Sequence, residues 1–125
     1  MALKDLAASR ASVNEGVIEE IVKDFARYDM GDQSIVLTSE ASRLTIRQKI
    51  LAYLTANEGW CYVSNEVEAL SISPKTLEEP LGANGGTVRG KLSELAKENL
   101  IRKVGKGYRI RTANLSKIRK EVLSL

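Results

Sequence analysis

Between Gly85 and Arg111 the hydrophobic period of this chain changes once, abruptly, and that change constrains the fold more than any other feature. Val88, Leu92, Leu95 and Ala96 recur at i, i+4, i+7 and i+8, the stripe of an amphipathic helix. Leu100 and Ile101 close that helix against the body. At once two short β-prone runs follow, Ile101-Arg102-Lys103-Val104 and Tyr108-Arg109-Ile110-Arg111, around Gly105-Lys106-Gly107. Glycine supplies the positive φ that a tight hairpin turn needs. A helix followed directly by a hairpin is therefore expected, and the other segments are placed around it.

Before this unit the spacing predicts a short helix over residues 2–10, with Leu3, Leu6 and Ala7 on one side. A longer helix is expected from Ser12, an N-cap with Glu15 as its capping-box partner, to about Tyr28. Its apolar face is Val17, Ile18, Ile21, Val22 and Phe25, and Met30-Gly31-Asp32-Gln33 ends it. Ile35 to Thr38 reads as extended, leading to Ser39 or Thr38 as the next cap. A helix over roughly Ala41 to Asn57 carries Leu44, Ile46, Ile50, Leu51 and Leu54 inward and stops at Gly59. Trp60 to Val63 reads as a packed loop. Val67, Leu70 and Ile72 fit a short strand or one helical turn, and a strand at about Leu70–Ile72 is favoured because Ser73-Pro74 then starts a helix. That helix holds Leu77 and Leu81 inward, and Pro80 should distort its last turn. Gly82 to Gly86 turns into the next helix, capped by Asn84 or Thr87. Asn114 should cap a final helix with Leu115, Ile118, Val122 and Leu125 on one face.

Composition narrows the function. The 125 residues hold one cysteine, Cys61, and no histidine, which excludes an internal disulfide and removes the commonest general base and metal ligand. No run of about 18 apolar residues suits a membrane span, and the first ten residues lack the apolar stretch of a secretory signal. A cytoplasmic, metal-free, non-catalytic protein without a cofactor or inferred small-molecule ligand is expected. The net charge of +3 is unevenly spread. Residues 1–40 hold 4 Lys/Arg against 8 Asp/Glu, residues 41–85 hold 4 against 5, and residues 86–125 hold 11 against 3. A basic last third that coincides with a helix and hairpin is the footprint of a polyanion-binding face.

Short helix, Gly-containing turn, longer helix and hairpin together resemble the winged helix-turn-helix superfamily, over about Leu44 to Arg111. The residues that carry the resemblance lie in SPKTLEEPLGANGGTVRGKLSELAKENLIRKVGKGYRI. Leu77 to Gly82 match the scaffold helix and turn, Thr87-Val88 the opening of the recognition helix, and Leu92, Leu95, Asn99, Leu100 and Ile101 its close. The order is similar to small archaeal and bacterial transcription regulators without singling out one family. Pro80 in the scaffold helix and Gly90 in the recognition helix depart from the pattern. Gly90 costs about 1 kcal/mol against Ala in a helix. It is either a surface glycine or a place where the DNA backbone comes close.

The resemblance implies a mostly α fold with a small β-wing (α+β). It has three parts: an N-terminal helical extension at 1–38, a DNA-binding domain at 39–112 and a C-terminal helix at 113–125. It also implies sequence-specific binding to double-stranded DNA, with residues 86–99 in the major groove and the wing, 101–111, on the flanking backbone. Arg89 and Ser93 are expected on the outward face with Lys97, and Thr87 and Lys91 at its margins. Arg89, in the first turn, suits a guanine edge, and Lys97 suits phosphate. Lys103, Lys106, Arg109 and Arg111 extend the contact along the wing. The alternative is a winged-helix protein-interaction module or a subunit of a larger assembly, and a third reading is RNA binding. The broad apolar faces of the two flanking helices predict a homodimer.

Three lookalikes fail. Gly85 to Lys91 matches G-x-x-x-x-G-K, but Leu92 stands where a Mg²⁺-binding hydroxyl belongs and no strand precedes it. Cys61 has no histidine to activate it and reads as a small hydrophobe. Glu19-Glu20 and Glu78-Glu79 are neighbours in sequence and so diverge on a helix.

Overall fold

The computed structural model describes residues 14–64 and 69–124. The expectations for residues 2–10, the Ser12 cap, Val67 and Leu125 lie outside them. The fold is mostly helical, with two separate two-stranded antiparallel sheets. Helix α1 covers 14–22, and strands β1 (Ala26–Asp29) and β2 (Ser34–Leu37) pair as a first hairpin. A 3₁₀ turn (Ser39–Arg43) leads to α2 (Ile46–Glu58), with α3 (Trp60–Val63) following at once. Then come α4 (Pro74–Leu81), α5 (Gly85–Lys97), β3 (Ile101–Val104), β4 (Gly107–Ile110), a 3₁₀ turn (Thr112–Asn114) and α6 (Leu115–Leu123).

Helix α2 is the spine. Every residue from Ile50 to Asn57 is buried, and β4, α4, α5 and α6 all pack on it. A helix buried all round needs neighbours on every side. Its start is fixed by a capping box: the Thr45 hydroxyl accepts from the Gln48 N–H, and the Gln48 side chain accepts from the Thr45 N–H. That box corrects the single helix expected from Ala41, because it breaks the chain between the 3₁₀ turn and α2.

The expected helix to Tyr28 is also corrected. It stops at residue 22, and Ala26–Asp29 becomes a strand. The Arg27 guanidinium folds back and donates to the carbonyls of Lys23 and Ala26, at the junction between α1 and β1. Met30 to Gln33 is thus a hairpin loop. The Asp29 carboxylate accepts from the N–H groups of Gly31 and Asp32 at 2.9 and 3.2 Å, a local Asx turn. Trp60 to Val63 is a helical turn, not a loop, with Trp60 buried edge-on to Tyr28 at 4.8 Å.

The segment from Ser73 onward follows the expected order. Ser73 caps α4, accepting from the Thr76 N–H, with Pro74 in the first turn. The helix runs through Pro80 to Leu81, and Gly82 ends it at φ 63°. Asn84, rather than Thr87, caps α5, accepting from the Thr87 N–H at 2.8 Å. Ile72 forms a single antiparallel bridge with Tyr108, which lays that residue beside β4. Asn114 precedes α6 but does not cap it; its amide donates to the Asn99 carbonyl.

The faces that suggested a homodimer are covered within the chain. Ile18, Ile21, Val22 and Phe25 belong to the same buried core as Leu115, Ile118 and Val122. Arg119 of α6 also grips Glu20 of α1 with two hydrogen bonds of 2.7 Å. A dimer would need some other surface.

Candidate functional site

Helix α5 buries Val88, Leu92 and Leu95 against the core. At 100° per residue the opposite line runs through Gly86, Gly90, Ser93 and Lys97, all exposed. Three of those four are small. A Cβ added at Gly90 would meet nothing within 4 Å, so no packing inside the chain demands glycine there. Thr87 is exposed on one flank of the line and Arg89 on the other. Arg89 leans toward α4: the missing Cβ of Gly85 would lie 3.0 Å from its Nη1 and 3.3 Å from Glu78 Oε1. Lys91 is half-buried and pairs with Glu94 at 3.2 Å.

The acids of the last third converge on one cation. Arg47, in the first turn of α2, bonds Glu121 of α6 and Glu98 just beyond α5, and lies 3.6 Å from Glu94. Hydrogen bonds to Glu121 and Glu98 push the Arg47 guanidinium pKa further up. The bond from Arg47 holds the Glu98 carboxyl below its ordinary range. All three carboxylates of residues 86–125 are thereby drawn to one side of α5.

The hairpin β3–β4 follows α5 after Asn99, which takes φ 61°. Its loop is the pair Gly105-Lys106 between the partners Val104 and Gly107. Gly105 has φ 61°, the first-position glycine of a II′-type connection. Gly107 is glycine for another reason: a Cβ there would lie 2.8–2.9 Å from the Ile72 backbone. The hairpin thus presents Lys103 and Lys106 in the open.

Arg109 does not join them. It is half-buried, and its guanidinium makes two hydrogen bonds to Glu58 at the end of α2, of 2.6 and 2.9 Å. Those bonds raise its pKa. It braces the hairpin to the spine. Arg111 is exposed. Arg102, absent from the expected site residues, is exposed as well and faces Arg109 across the hairpin. It stands in the same basic, β-prone run as Lys103, which was the signal that could have found it.

Of the 11 cations in residues 86–125, Lys91, Arg109 and Arg119 are engaged with carboxylates. Arg89, Lys97, Arg102, Lys103, Lys106, Arg111, Lys117 and Lys120 enter no ion pair among the described residues. The described residues hold no cluster of potential metal ligands, and no helix among them is long and apolar enough to cross a membrane. No protein-family model, curated protein or solved structure matches the chain. What the site can do follows from its own residues.

Proposed function

We propose that this chain is a winged helix-turn-helix protein of the cytoplasm that binds double-stranded DNA and regulates transcription, without catalysis or a cofactor. Helix α5 enters the major groove along Gly86, Gly90, Ser93 and Lys97, with Thr87 and Arg89 at the base edges. The β3–β4 hairpin lies on the flanking backbone through Lys103, Lys106 and Arg111. The observation that carries this reading is the partition of charge. Arg47 gathers Glu94, Glu98 and Glu121, while the cations of α5 and the hairpin, Lys91 and Arg109 apart, stay unpaired. Leaving those charges unneutralised suits a polyanion partner.

Six of the unpaired cations lie on α5 and the hairpin: Arg89, Lys97, Arg102, Lys103, Lys106 and Arg111. If they meet five or six phosphates between them, log K falls against log[salt] with a slope of about −5. The test is a duplex titration over a salt series with random and selected DNA, and a slope near zero would sink the reading. The protein-interaction alternative draws on a hollow of about 260 Å³ between α1, β1 and α3, whose walls include Ile18, Val22, Tyr28, Tyr62 and Val63. In that case duplex binding is absent.

A further inference from the structure

At the end of the hairpin opposite its tip, Arg102 and Arg111 line one notch of about 340 Å³, together with Asn99, Thr112 and Asn114. Four-residue strands place this notch on the order of 10 Å from Lys106. Its floor is held by the backbone. The Arg111 N–H donates to the Leu100 carbonyl at 3.0 Å, extending the β ladder by one rung. The Asn114 N–H donates to the Arg111 carbonyl at 2.9 Å, and the Asn114 amide to the Asn99 carbonyl at 2.6 Å.

The charges here are uncompensated. Arg109 lies directly across from Arg102, so Arg111, two residues on, is its diagonal neighbour. Glu58 takes up the charge of Arg109. Arg102 and Arg111 have no carboxylate of their own among the described residues. Two guanidinium groups sharing one concavity repel each other until an anion lies between them. Their planar forks match the oxygens of a phosphate, which each can hold with two hydrogen bonds.

We infer that Arg102 and Arg111 form a clamp for one phosphate group, set apart from the recognition surface of α5 and from the hairpin tip. Given the DNA-binding reading on which this rests, the phosphate belongs to the duplex backbone, and the clamp adds a contact that carries no sequence information. It fixes where the hairpin sits along the strand, since the tip and the clamp cannot slide independently.

The test uses the full chain and its R102A, R111A, R102A/R111A and R102K/R111K variants, each checked by thermal melting; both side chains are exposed, so the fold should survive. Titrations with duplex DNA over a salt series are read beside inorganic phosphate titrations followed on the arginine Nε–Hε resonances. The double alanine variant is expected to flatten the salt slope by about one unit, because both arginines hold one phosphate. Each single alanine variant should keep most of the slope, because the remaining arginine still meets that phosphate, and lose affinity instead. The lysine variant should keep the slope and lose severalfold in affinity on every sequence. An unchanged slope in the double alanine variant overturns the clamp and leaves DNA binding standing. A loss of two units also overturns it, in favour of two separate contacts. If the unaltered chain shows no salt-dependent duplex binding, the DNA reading fails. The clamp is then decided by inorganic phosphate: saturable shifts confined to Arg102 and Arg111 support it, and their absence overturns it.

Discussion

Replacing Gly90 by alanine sets stability against function at one atom. Gly90 lies inside α5, where glycine costs roughly 1 kcal/mol relative to alanine. The added Cβ meets nothing within 4 Å, so no clash offsets the gain. The variant should be about 1 kcal/mol more stable, raising the melting temperature by roughly 3–5 °C for a chain of this size. Duplex binding should change in the opposite direction. Gly90 sits on the outermost line of α5, and a methyl group inserted where a DNA strand approaches closely costs about 1–3 kcal/mol, roughly 5- to 150-fold in affinity. Gly16 provides the control: it is helical, and its added Cβ also meets nothing within 4 Å. Gly16→Ala should stabilise the fold and leave DNA binding alone. The assay pairs thermal melts with fluorescence-anisotropy titrations at fixed salt. If Gly90→Ala binds DNA as tightly as the unaltered chain while melting higher, the close approach is refuted and Gly90 is only a tolerated surface residue.

Three further outcomes are expected. Gly107→Ala should destabilise the fold by about 1–3 kcal/mol, because its Cβ would lie 2.8–2.9 Å from the Ile72 backbone, and hydrogen exchange should show the Ile72–Tyr108 bridge opening first. The carboxyls of Glu98 and Glu20 lie below the ordinary range because Arg47 and Arg119 donate to them. Their contribution is full above the ordinary carboxylate pKa and is lost as pH falls through the lowered values, so the decline belongs below about pH 4, and carboxyl NMR on Arg47→Ala should show Glu98 moving up while Glu20 stays low. A chain beginning at Ile35 loses Ile18, Ile21, Val22 and Phe25 from the core and should unfold without cooperativity, while the full chain should scatter light as one copy; a cooperative melt of the shortened chain or a dimeric mass would refute this.

The helix, turn, helix and hairpin order was legible because each part carries its own local signal. Ser73 and Asn84 are caps with Pro74 at the first helical position, Gly82 takes a left-handed conformation, and the stripe of α5 ends where the β-prone run of β3 begins. The first hairpin was not legible. Phe25 continues the helical spacing of Ile18, Ile21 and Val22, so the stripe hides the two-residue alternation of Ala26 to Asp29. The homodimer expectation shared that origin: an apolar face in sequence shows that something covers it, not what. The site was read in part for a similar reason. Exposure of Lys106 follows from its place in the hairpin turn, but the capture of Arg109 by Glu58 joins residues 51 apart in sequence and has no local signal.

That capture gives a test in which electrostatics and mechanics point in opposite directions. Glu58 is almost buried, at 11% side-chain exposure, and Arg109 mostly so, at 28%. Glu58→Gln keeps the shape and one acceptor but removes the charge, leaving a largely buried guanidinium without its counter-ion. The loss should be about 1–2 kcal/mol, less than for a fully buried pair because Arg109 still reaches water. The substitution also raises the net charge by one, beside the hairpin. If Arg109 acted mainly as a contact for DNA, freeing it would tighten duplex binding and steepen the salt slope by up to about one unit. If it acts as a brace, the hairpin loses its tie to α2, its orientation toward α5 loosens, and affinity falls although the protein has become more positive. The bidentate geometry, with both hydrogen bonds at 2.9 Å or less, favours the brace. Glu58→Gln is therefore expected to bind duplex severalfold more weakly with an unchanged slope. Tighter binding with a steeper slope would return Arg109 to the DNA-facing set.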